Sequence, residues 1–337
     1  MGNAPPNLAV VVIGRNEGQR LRACLGSIDS TKTPVVYVDS GSTDESVALA
    51  REYGADVVEL DNSRPYTAAR GRNAGVARLR ETGRDVDYIQ FVDGDCALAP
   101  GWLVKACMYL SSQQEMAVVT GLLKEKNPDA SIYNRLCQLE WRAPTGDIKT
   151  CGGIFMIRRE AFEQMGGFRE DLIAGEEPEL CVRLRQAGWR LHRLDRHMAT
   201  HDAEMMRFSQ WWTRSVRSGH AAAEGMALHG KPPERFRVRE VHSSLFWGGL
   251  VPAVFLGCGL WGFLWLPALL GALACAGATF FQGWRIARGR RARGEGRGDA
   301  SIYALFCMLG KFPETLGILQ YSLNRLRKRR SELIEYK

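Results

Sequence analysis

The stretch LAVVVIGRNE at residues 8–17 sets the fold class of this 337-residue chain. It opens with an uninterrupted aliphatic run, which is typical of a strand buried on both faces of a sheet. Two further segments have the same form, VVYVDSGSTD at residues 35–44 and YIQFVDGD at residues 88–95. We therefore expect buried strands whose ends carry polar clusters.

Segments of helical periodicity separate these strands, at residues 18–28, 44–53 and 70–79. Strands that alternate with helices at this spacing predict an α/β fold, a Rossmann-like, mostly parallel sheet with flanking helices. Residues 152–201 are expected to form a mixed second half, with a helix at 176–187 and a strand at 190–194.

The polar clusters all follow predicted strands, where ligands of parallel sheets bind. Asp93 and Asp95 flank a glycine at the end of one such strand. Paired carboxylates are costly there unless a cation is present, and Mg²⁺ or Mn²⁺ bridging a diphosphate is the natural partner. Alone the tripeptide is a weak signal, because Asp-x-Asp also occurs by chance and at turns.

The cluster at residues 39–44 has two interpretations. Asp44 or Ser42 caps the helix that follows, or Asp39 accepts hydrogen bonds from a nucleobase or ribose. Both can hold together.

Glu176 and Glu177 open the helix predicted at residues 176–187. Clustered carboxylates repel, which raises the pKa of one and lets it act as a general base. Acids in a first helical turn also simply complement the helix dipole, and the motif alone favours this second interpretation.

His201 follows the strand predicted at residues 190–194. A lone histidine is more often structural than a ligand, although its imidazole could complete the coordination of the metal.

A charge-free run at residues 245–284 is long enough for two membrane spans with a turn near residues 261–267. A re-entrant pair and a buried core are the alternatives. Six arginines among residues 285–297 place that end in the cytoplasm by the positive-inside rule. The catalytic domain would then face the cytoplasm from the inner membrane.

The predicted organisation follows from this run: a catalytic domain (1–230), a linker (231–244), a transmembrane hairpin (245–284), a basic cytoplasmic loop (285–300) and amphipathic interfacial helices with a basic tail (301–337). Pro313 is expected to divide the last segment into two helices, because proline is tolerated only in a first turn. These helices lie in the membrane interface or pack on the globular domain.

Charge and cysteine usage exclude some classes of protein. The net charge of +8 is concentrated in residues 285–297 and 325–330, beside apolar segments, which fits anionic membrane lipids and not a nucleic-acid partner. The nine cysteines contain no CxxC pair, so neither a zinc knuckle nor a disulfide framework is indicated. Residues 1–7 lack the pattern of a secretory signal.

Seven ordered motifs in about the first 220 residues resemble those of the family 2 glycosyltransferases, whose catalytic domain adopts the GT-A fold. The motifs are VVVIGRNE (10–17), VDSGSTD (38–44), ARGRNAG (69–75), FVDGD (91–95), GG (152–153), GGF (166–168) and GEEPEL (175–180).

The resemblance implies metal binding by Asp93, Asp95 and His201, and a catalytic base among Glu176 and Glu177. The base in this family is usually the second acid, which selects Glu177, although this chain has Glu where the family commonly has Asp. The residues expected to bind the nucleotide sugar are Asn16, Glu17, Asp39, Ser42, Arg72, Asn73, Asp93 and Gly153. Ser40 replaces a second Asp common in the family, which weakens the nucleotide assignment.

The expected activity is metal-dependent, inverting transfer of a sugar from a nucleotide sugar to a lipid-linked or saccharide acceptor at the membrane. Transfer to a polyprenyl phosphate, which needs no strong base, and a non-catalytic scaffold or nucleotide-sugar sensor are the alternatives. An aromatic and basic segment either binds the acceptor or diphosphate or forms an interfacial belt; its residues are Trp211, Trp212, Arg214 and Arg217.

Overall fold

The computed structural model describes residues 7–262, 266–329 and 334. The chain divides into two compact units, Met1–Glu204 and Met205–Lys337. The boundary thus falls before residue 230, the predicted end of the catalytic domain, and the helix Phe208–His229 belongs to the second unit.

The first unit is a mixed sheet with helices on both faces. Its strands are β1 (Leu8–Gly14), β2 (Val35–Asp39), β3 (Asp56–Glu59), β4 (Tyr88–Asp93), β5 (Cys96–Leu98), β6 (Met116–Glu125), β7 (Gly146–Asp147), β8 (Phe155–Arg158) and β9 (Arg190–His201). Its helices are α1 (Gln19–Gly26), α2 (Ser46–Glu52), α3 (Ala68–Glu81), α4 (Trp102–Ser112), α5 (Ile132–Glu140), α6 (Arg159–Gln164) and α7 (Glu176–Gln186).

The strand order is β3-β2-β1-β4-β8-β6-β9-β5, with β7 beside β9. The first four strands are parallel, and β8 joins them to the rest by antiparallel pairing with β4 and β6. The predicted α/β sheet with flanking helices is confirmed.

Alternate residues of β1 pack into separate cores on the two faces of the sheet. Val10 and Val12 belong to one hydrophobic cluster, whereas Val11 belongs to the other. This two-sided burial explains why the strand is continuously aliphatic. It also fixes the end of β1 beside the ends of β2 and β4, so the polar clusters meet at one edge.

Strand β9 is longer than the predicted strand at 190–194 and ends at His201. It pairs on one side with β5, where Cys96 lies opposite His201, and on the other with β6, where Glu125 does. The pairing with β5 carries His201 to Asp95, which immediately precedes Cys96.

The second unit is helical within the described residues. Its helices are α8 (Phe208–His229), α9 (Val238–Leu245), α10 (Val251–Gly262), α11 (Leu266–Ala292), α12 (Arg297–Leu309) and α13 (Lys311–Leu326), and a π-helical turn, Phe246–Leu250, joins α9 to α10. Among the described residues, three helical stretches are long and apolar enough to cross a membrane: Val238–Trp261, Leu266–Ala292 and Arg297–Leu326.

Two predicted segments are corrected here. The linker at 231–244 contains most of α9, and the basic loop at 285–300 is largely helical, because α11 continues to Ala292 and α12 begins at Arg297. Arginine is a good helix former, so a basic run does not by itself end a helix. The predicted turn near 261–267 falls partly on residues 263–265, outside the described part of the chain.

The last two helices separate at Gly310, and Pro313 lies in the first turn of α13, as predicted. Helix α13 packs directly on α8, since a Cβ at Gly317 would lie 2.0 Å from the carbonyl oxygen of Val216. Within the most apolar 18 residues of each stretch, the buried share is 33% for Arg297–Leu326, 6% for Val238–Trp261 and 11% for Leu266–Ala292. Part of the apolar face of Arg297–Leu326 is therefore buried by the packing of α13 on α8.

Candidate functional site

Arg72 joins three carboxylates at the edge of the sheet where the polar clusters meet. It lies on α3 and is only 2% exposed. Its Nη2 donates to Asp93 Oδ1 at 2.8 Å, and its Nη1 donates to Glu176 Oε1 at 2.7 Å. The same Nη1 is 3.0 Å from Glu177 Oε1. One buried guanidinium therefore connects the end of β4 to the start of α7.

The two acids of α7 differ in environment. The side chain of Glu177 is 14% exposed, whereas that of Glu176 is 4% exposed. Burial and the adjacent charge of Glu176 raise the pKa of Glu177 from 4.5 to about 7, although Arg72 opposes the shift. Glu177 is thus the more accessible acid and exchanges its proton near neutral pH, which favours it over Glu176 as a general base.

Gly153 lies against this cluster with no room for a side chain. A Cβ at this position would be 2.5 Å from Asp93 Oδ2, 2.6 Å from Arg72 Nη2 and 3.2 Å from Glu177 Oε1. The glycine therefore lets the backbone before β8 approach the carboxylates directly.

We expect Gly153→Ala to destabilise the protein by about 1–3 kcal/mol, because the added methyl group forces Asp93 and Arg72 to move. Gly152→Ala is the matched control, since a Cβ at Gly152 meets no atom within 4 Å. Thermal unfolding of the two variants in the same detergent measures the difference. Equal unfolding temperatures would contradict the close approach.

A second group of ligand atoms lies beside the first cluster. Asp95 Oδ2 is 3.3 Å from His201 Nε2, and these two residues and Cys96 each place a ligand atom within 4.8 Å of the others. Burial raises the pKa of the Cys96 thiol well above its ordinary value, and the thiol donates to Asp95 Oδ1. Asp93, the third predicted ligand, binds Arg72 and is 35% exposed.

The donor set fits a divalent cation. Adjacent ligands of one octahedral ion lie about 3 Å apart, close to the separation of Asp95 and His201. A carboxylate with an imidazole suits Mn²⁺ better than Mg²⁺, which prefers oxygen ligands. The protonated Cys96 is a poor ligand for either ion.

Glu125 and Trp141, which sequence reasoning missed, surround His201. Glu125 Oε2 is 3.7 Å from His201 Nδ1 and also accepts from the backbone N–H of Ala203. The ring of Trp141 meets the imidazole edge to face at 4.7 Å. The strand register places Glu125 opposite His201, whereas Trp141 reaches the imidazole from the end of α5. Neither contact is visible in the sequence, because the three residues are far apart along the chain.

The loop after β2 is held by its own side chains. Asp39 is 2% exposed, and its carboxylate accepts from the backbone N–H of Gly41 and Ser42 and from the Ser42 hydroxyl. Asn16 is fixed to the same loop, since its N–H donates to Ser42 Oγ and its Oδ1 accepts from Thr43 N. Asp39 therefore orders the loop, and direct contact with a nucleotide stays a prediction.

Asp44 accepts from the N–H of Ser46, the first residue of α2, but the N-cap position is Glu45 and not the predicted Asp44 or Ser42. Glu17 lies between the loop and the carboxylates: its N–H donates to Ser46 Oγ, and its Cγ would be 3.1 Å from a Cβ on Gly94. Glu17 thus borders the Asp-Gly-Asp segment.

Asn73, which is predicted to face the donor, has its side-chain amide hydrogen-bonded within the protein. Its Nδ2 donates to the carbonyl of Phe168 and to Glu170, and its Oδ1 accepts from the N–H of Phe168. Both ends of the amide are used to anchor the segment after α6. The side chain has a structural role here, whereas its neighbour Arg72 enters the site.

The predicted acceptor residues belong to the helical unit. Trp211 is 4% exposed and packs edge to face on Phe306, with ring centroids 5.0 Å apart. Such a buried ring offers no face for a sugar to stack on. Trp212, Arg214 and Arg217 are partly buried on the same helix, α8, and their predicted contact with an acceptor or diphosphate stays untested.

Comparison with known proteins identifies related sequences. Residues 9–166 match the family model described as glycosyl transferase family 2, and residues 135–208 match one described as N-terminal domain of galactosyltransferase. The chain is 24% identical over 301 residues to a pre-mycofactocin glycosyltransferase of Mycobacterium tuberculosis, covering 83% of this chain and 61% of that protein. It is 28% identical over 184 residues to an O-antigen chain rhamnosyltransferase of Salmonella typhimurium, covering 49% of this chain and 57% of that protein. The chain thus spans about three fifths of the length of these relatives.

Among solved structures, the chain resembles a mannosyltransferase from Pyrobaculum calidifontis in complex with GDP-Man and Mn²⁺. The TM-score is 0.58 at 17% sequence identity, over 93% of this chain and 88% of that one. At this identity the likeness concerns the fold, and it confirms the predicted fold class.

Proposed function

We propose that this chain, whose residues 9–166 match the family model of glycosyl transferase family 2, transfers a sugar from a nucleotide-sugar donor to a hydroxyl group of a membrane-associated acceptor, with inversion at the anomeric carbon. The observation that carries the proposal is the Glu177 carboxylate, which is partly exposed, has a pKa near 7 and is linked through Arg72 to Asp93. A base beside a candidate diphosphate site is the arrangement that inverting transfer to a hydroxyl requires.

Asp95 and His201, with Asp93 beside them, would hold a divalent cation. When bound, the cation neutralises the charge that develops on the departing nucleoside diphosphate. The Mn²⁺ and GDP-Man bound by the Pyrobaculum calidifontis structure support this assignment. Glu125 and Trp141 keep the imidazole of His201 in place beside Asp95.

Glu177 takes the proton of the acceptor hydroxyl as the hydroxyl oxygen attacks the anomeric carbon. The bond from that carbon to the diphosphate oxygen breaks, and its electron pair leaves with the diphosphate. Arg72 holds Asp93 and Glu177 in a fixed relation during this exchange. Gly153 lets the backbone before β8 lie directly against Asp93, Arg72 and Glu177.

The acceptor is a saccharide or lipid-linked saccharide presented at the membrane, and the catalytic unit works on the cytoplasmic face. The three apolar helical stretches support a membrane location. A relative named for an O-antigen chain supports a growing saccharide as acceptor.

The test is nucleotide release from a panel of nucleotide sugars, with Mn²⁺, Mg²⁺ or EDTA, by the full chain in detergent. We expect turnover of one donor, lost in EDTA. Because Asp95 is a proposed ligand, Asp95→Asn should raise the Mn²⁺ concentration for half-maximal activity at least about tenfold. Asp129→Asn is the matched control, since the Asp129 side chain is 89% exposed and pairs with Arg135 at the surface.

Turnover that persists in EDTA would contradict the metal assignment. If the protein shows no turnover and no metal-dependent binding of any donor, the proposed function is overturned and a scaffold or sensor is favoured.

A further inference from the structure

The helical unit contains a pocket of about 760 Å³ outside the residues proposed for catalysis. It opens where α9 and the π-helical turn face Gln282 and Arg285 of α11. Basic and aromatic side chains define its character: Arg235, Arg239, His242, Arg285, Phe246 and Trp247. No acidic residue is among the residues that line it.

The positive charge of this pocket is not neutralised by neighbouring carboxylates. In the part of the chain that the structure describes, no ion pair is formed by Arg235, Arg239 or Arg285, and their side chains are exposed. The nearby acid Glu240 pairs with Arg237 at 3.6 Å instead. Three guanidinium groups around one cavity repel each other, and a bound phosphate would remove the repulsion by charge-assisted hydrogen bonds.

The pocket lies at the ends of two candidate membrane spans. Arg239 and Phe246 belong to the stretch Val238–Trp261, and Arg285 follows the last apolar turns of Leu266–Ala292. Between them runs the charge-free segment, so these cationic groups mark one membrane interface. Trp247 is a residue type that concentrates at headgroup level, and Phe246 beside it is 45% exposed.

Apolar surface continues from the pocket along the spans. Leu250 is 56% exposed on one helix, and Phe281 is 56% exposed on the other. The cavity also falls within the size range of sites for organic molecules and is much larger than a phosphate ion. Charge, position and apolar surface together fit a molecule with a phosphate head and hydrocarbon chains.

We propose that this pocket binds the phosphate headgroup of an anionic membrane lipid, whose chains lie along the exposed faces of α10 and α11. The guanidinium groups of Arg235, Arg239 and Arg285 hold the phosphate oxygens, and Trp247 and Phe246 border the glycerol region. The proposal concerns a site separate from Glu177 and Asp95 and stands without the transfer reaction.

The test titrates the full chain, in a neutral detergent, with phosphatidylglycerol, phosphatidylcholine or inorganic phosphate, and follows thermal stabilisation and lipid adducts by native mass spectrometry. We expect saturable binding of phosphatidylglycerol. The triple variant Arg235→Gln/Arg239→Gln/Arg285→Gln should bind it at least about tenfold more weakly than the control Arg288→Gln/Arg291→Gln/Arg293→Gln, which removes the same charge outside the pocket.

An equal loss of phosphatidylglycerol binding in both triple variants would overturn the proposal and indicate diffuse attraction of the lipid by the arginines of residues 285–297. Competition by inorganic phosphate at the same concentration as the lipid would make this a site for soluble anions and would also overturn it. Equal binding of phosphatidylcholine would show that the anionic charge is not recognised. The single variant Arg285→Gln, at an exposed helical position, repeats the comparison if the triple variant unfolds.

Discussion

Replacing Glu177 with glutamine is expected to slow sugar transfer by about 10²–10⁴-fold, because the acceptor hydroxyl loses the base that takes its proton. The amide keeps the size of the side chain, so donor binding and metal dependence should persist. Glu163→Gln is the matched control, since Glu163 forms surface ion pairs with Arg80 and Arg159. Initial rates at saturating donor measure the effect.

The pH dependence of the transfer rate, compared between the unsubstituted protein and Glu177→Gln, identifies the titrating group. Burial and Glu176 raise the pKa of Glu177 to about 7, and the base must be ionised to work. The rate of the unsubstituted protein should therefore increase as pH rises through about 7 and then level off. In Glu177→Gln this step should disappear. An unchanged rate in the variant would indicate an acceptor that is already anionic, such as a polyprenyl phosphate.

The sequence predicts the site well where a residue acts at the end of its own strand. Asp93 and Asp95 follow an aliphatic run, and the carboxyl ends of parallel strands meet at one edge of the sheet. Position along the chain therefore indicates position in space for these residues. The same reasoning brings Asn16, which follows β1, close to Ser42, which follows β2, and the structure has them hydrogen-bonded.

The sequence predicts less where the role depends on which way a side chain turns. Arg72 and Asn73 are adjacent on α3, yet one joins the carboxylates and the other anchors Phe168. A rotation of about 100° per residue around the helix separates their directions. Only the packing of α3 on the sheet decides which of the two enters the site.

In the helical unit, the sequence pattern does not predict where the helices end. The charge-free run at 245–284 sets where apolar helices occur but not where they stop, and α11 continues into the basic residues up to Ala292. Arg290 is buried there in a two-point ion pair with Glu295 and lies over the ring of Tyr303 at 3.9 Å. A residue counted as part of a basic loop thus fixes the turn between α11 and α12.

Replacing Arg72 with methionine should destabilise the catalytic unit by about 3–5 kcal/mol, because it leaves buried carboxylates without their cation. Methionine fills much of the volume, so the loss is chiefly electrostatic. Arg70→Met is the matched control: Arg70 is also buried on α3, at 4% exposed, but its carboxylate partner Asp61 is 65% exposed. We expect that control to cost about 1 kcal/mol or less for the ion pair.

The pH dependence separates lost charge from lost packing in Arg72→Met. Burial and Glu176 raise the pKa of Glu177, and Arg72 opposes this shift. Without the guanidinium, the pKa of Glu177 should therefore rise further, and its protonated form is favoured in the folded protein. A group whose pKa is raised on folding supports stability at low pH and loses that support as pH rises. The difference in unfolding temperature between Arg72→Met and the unsubstituted protein, measured in EDTA, should therefore be larger at about pH 8 than at about pH 5. A difference that is the same at both pH values would mean that Arg72 acts by packing alone, and the link from Asp93 to Glu177 would then lose its electrostatic basis.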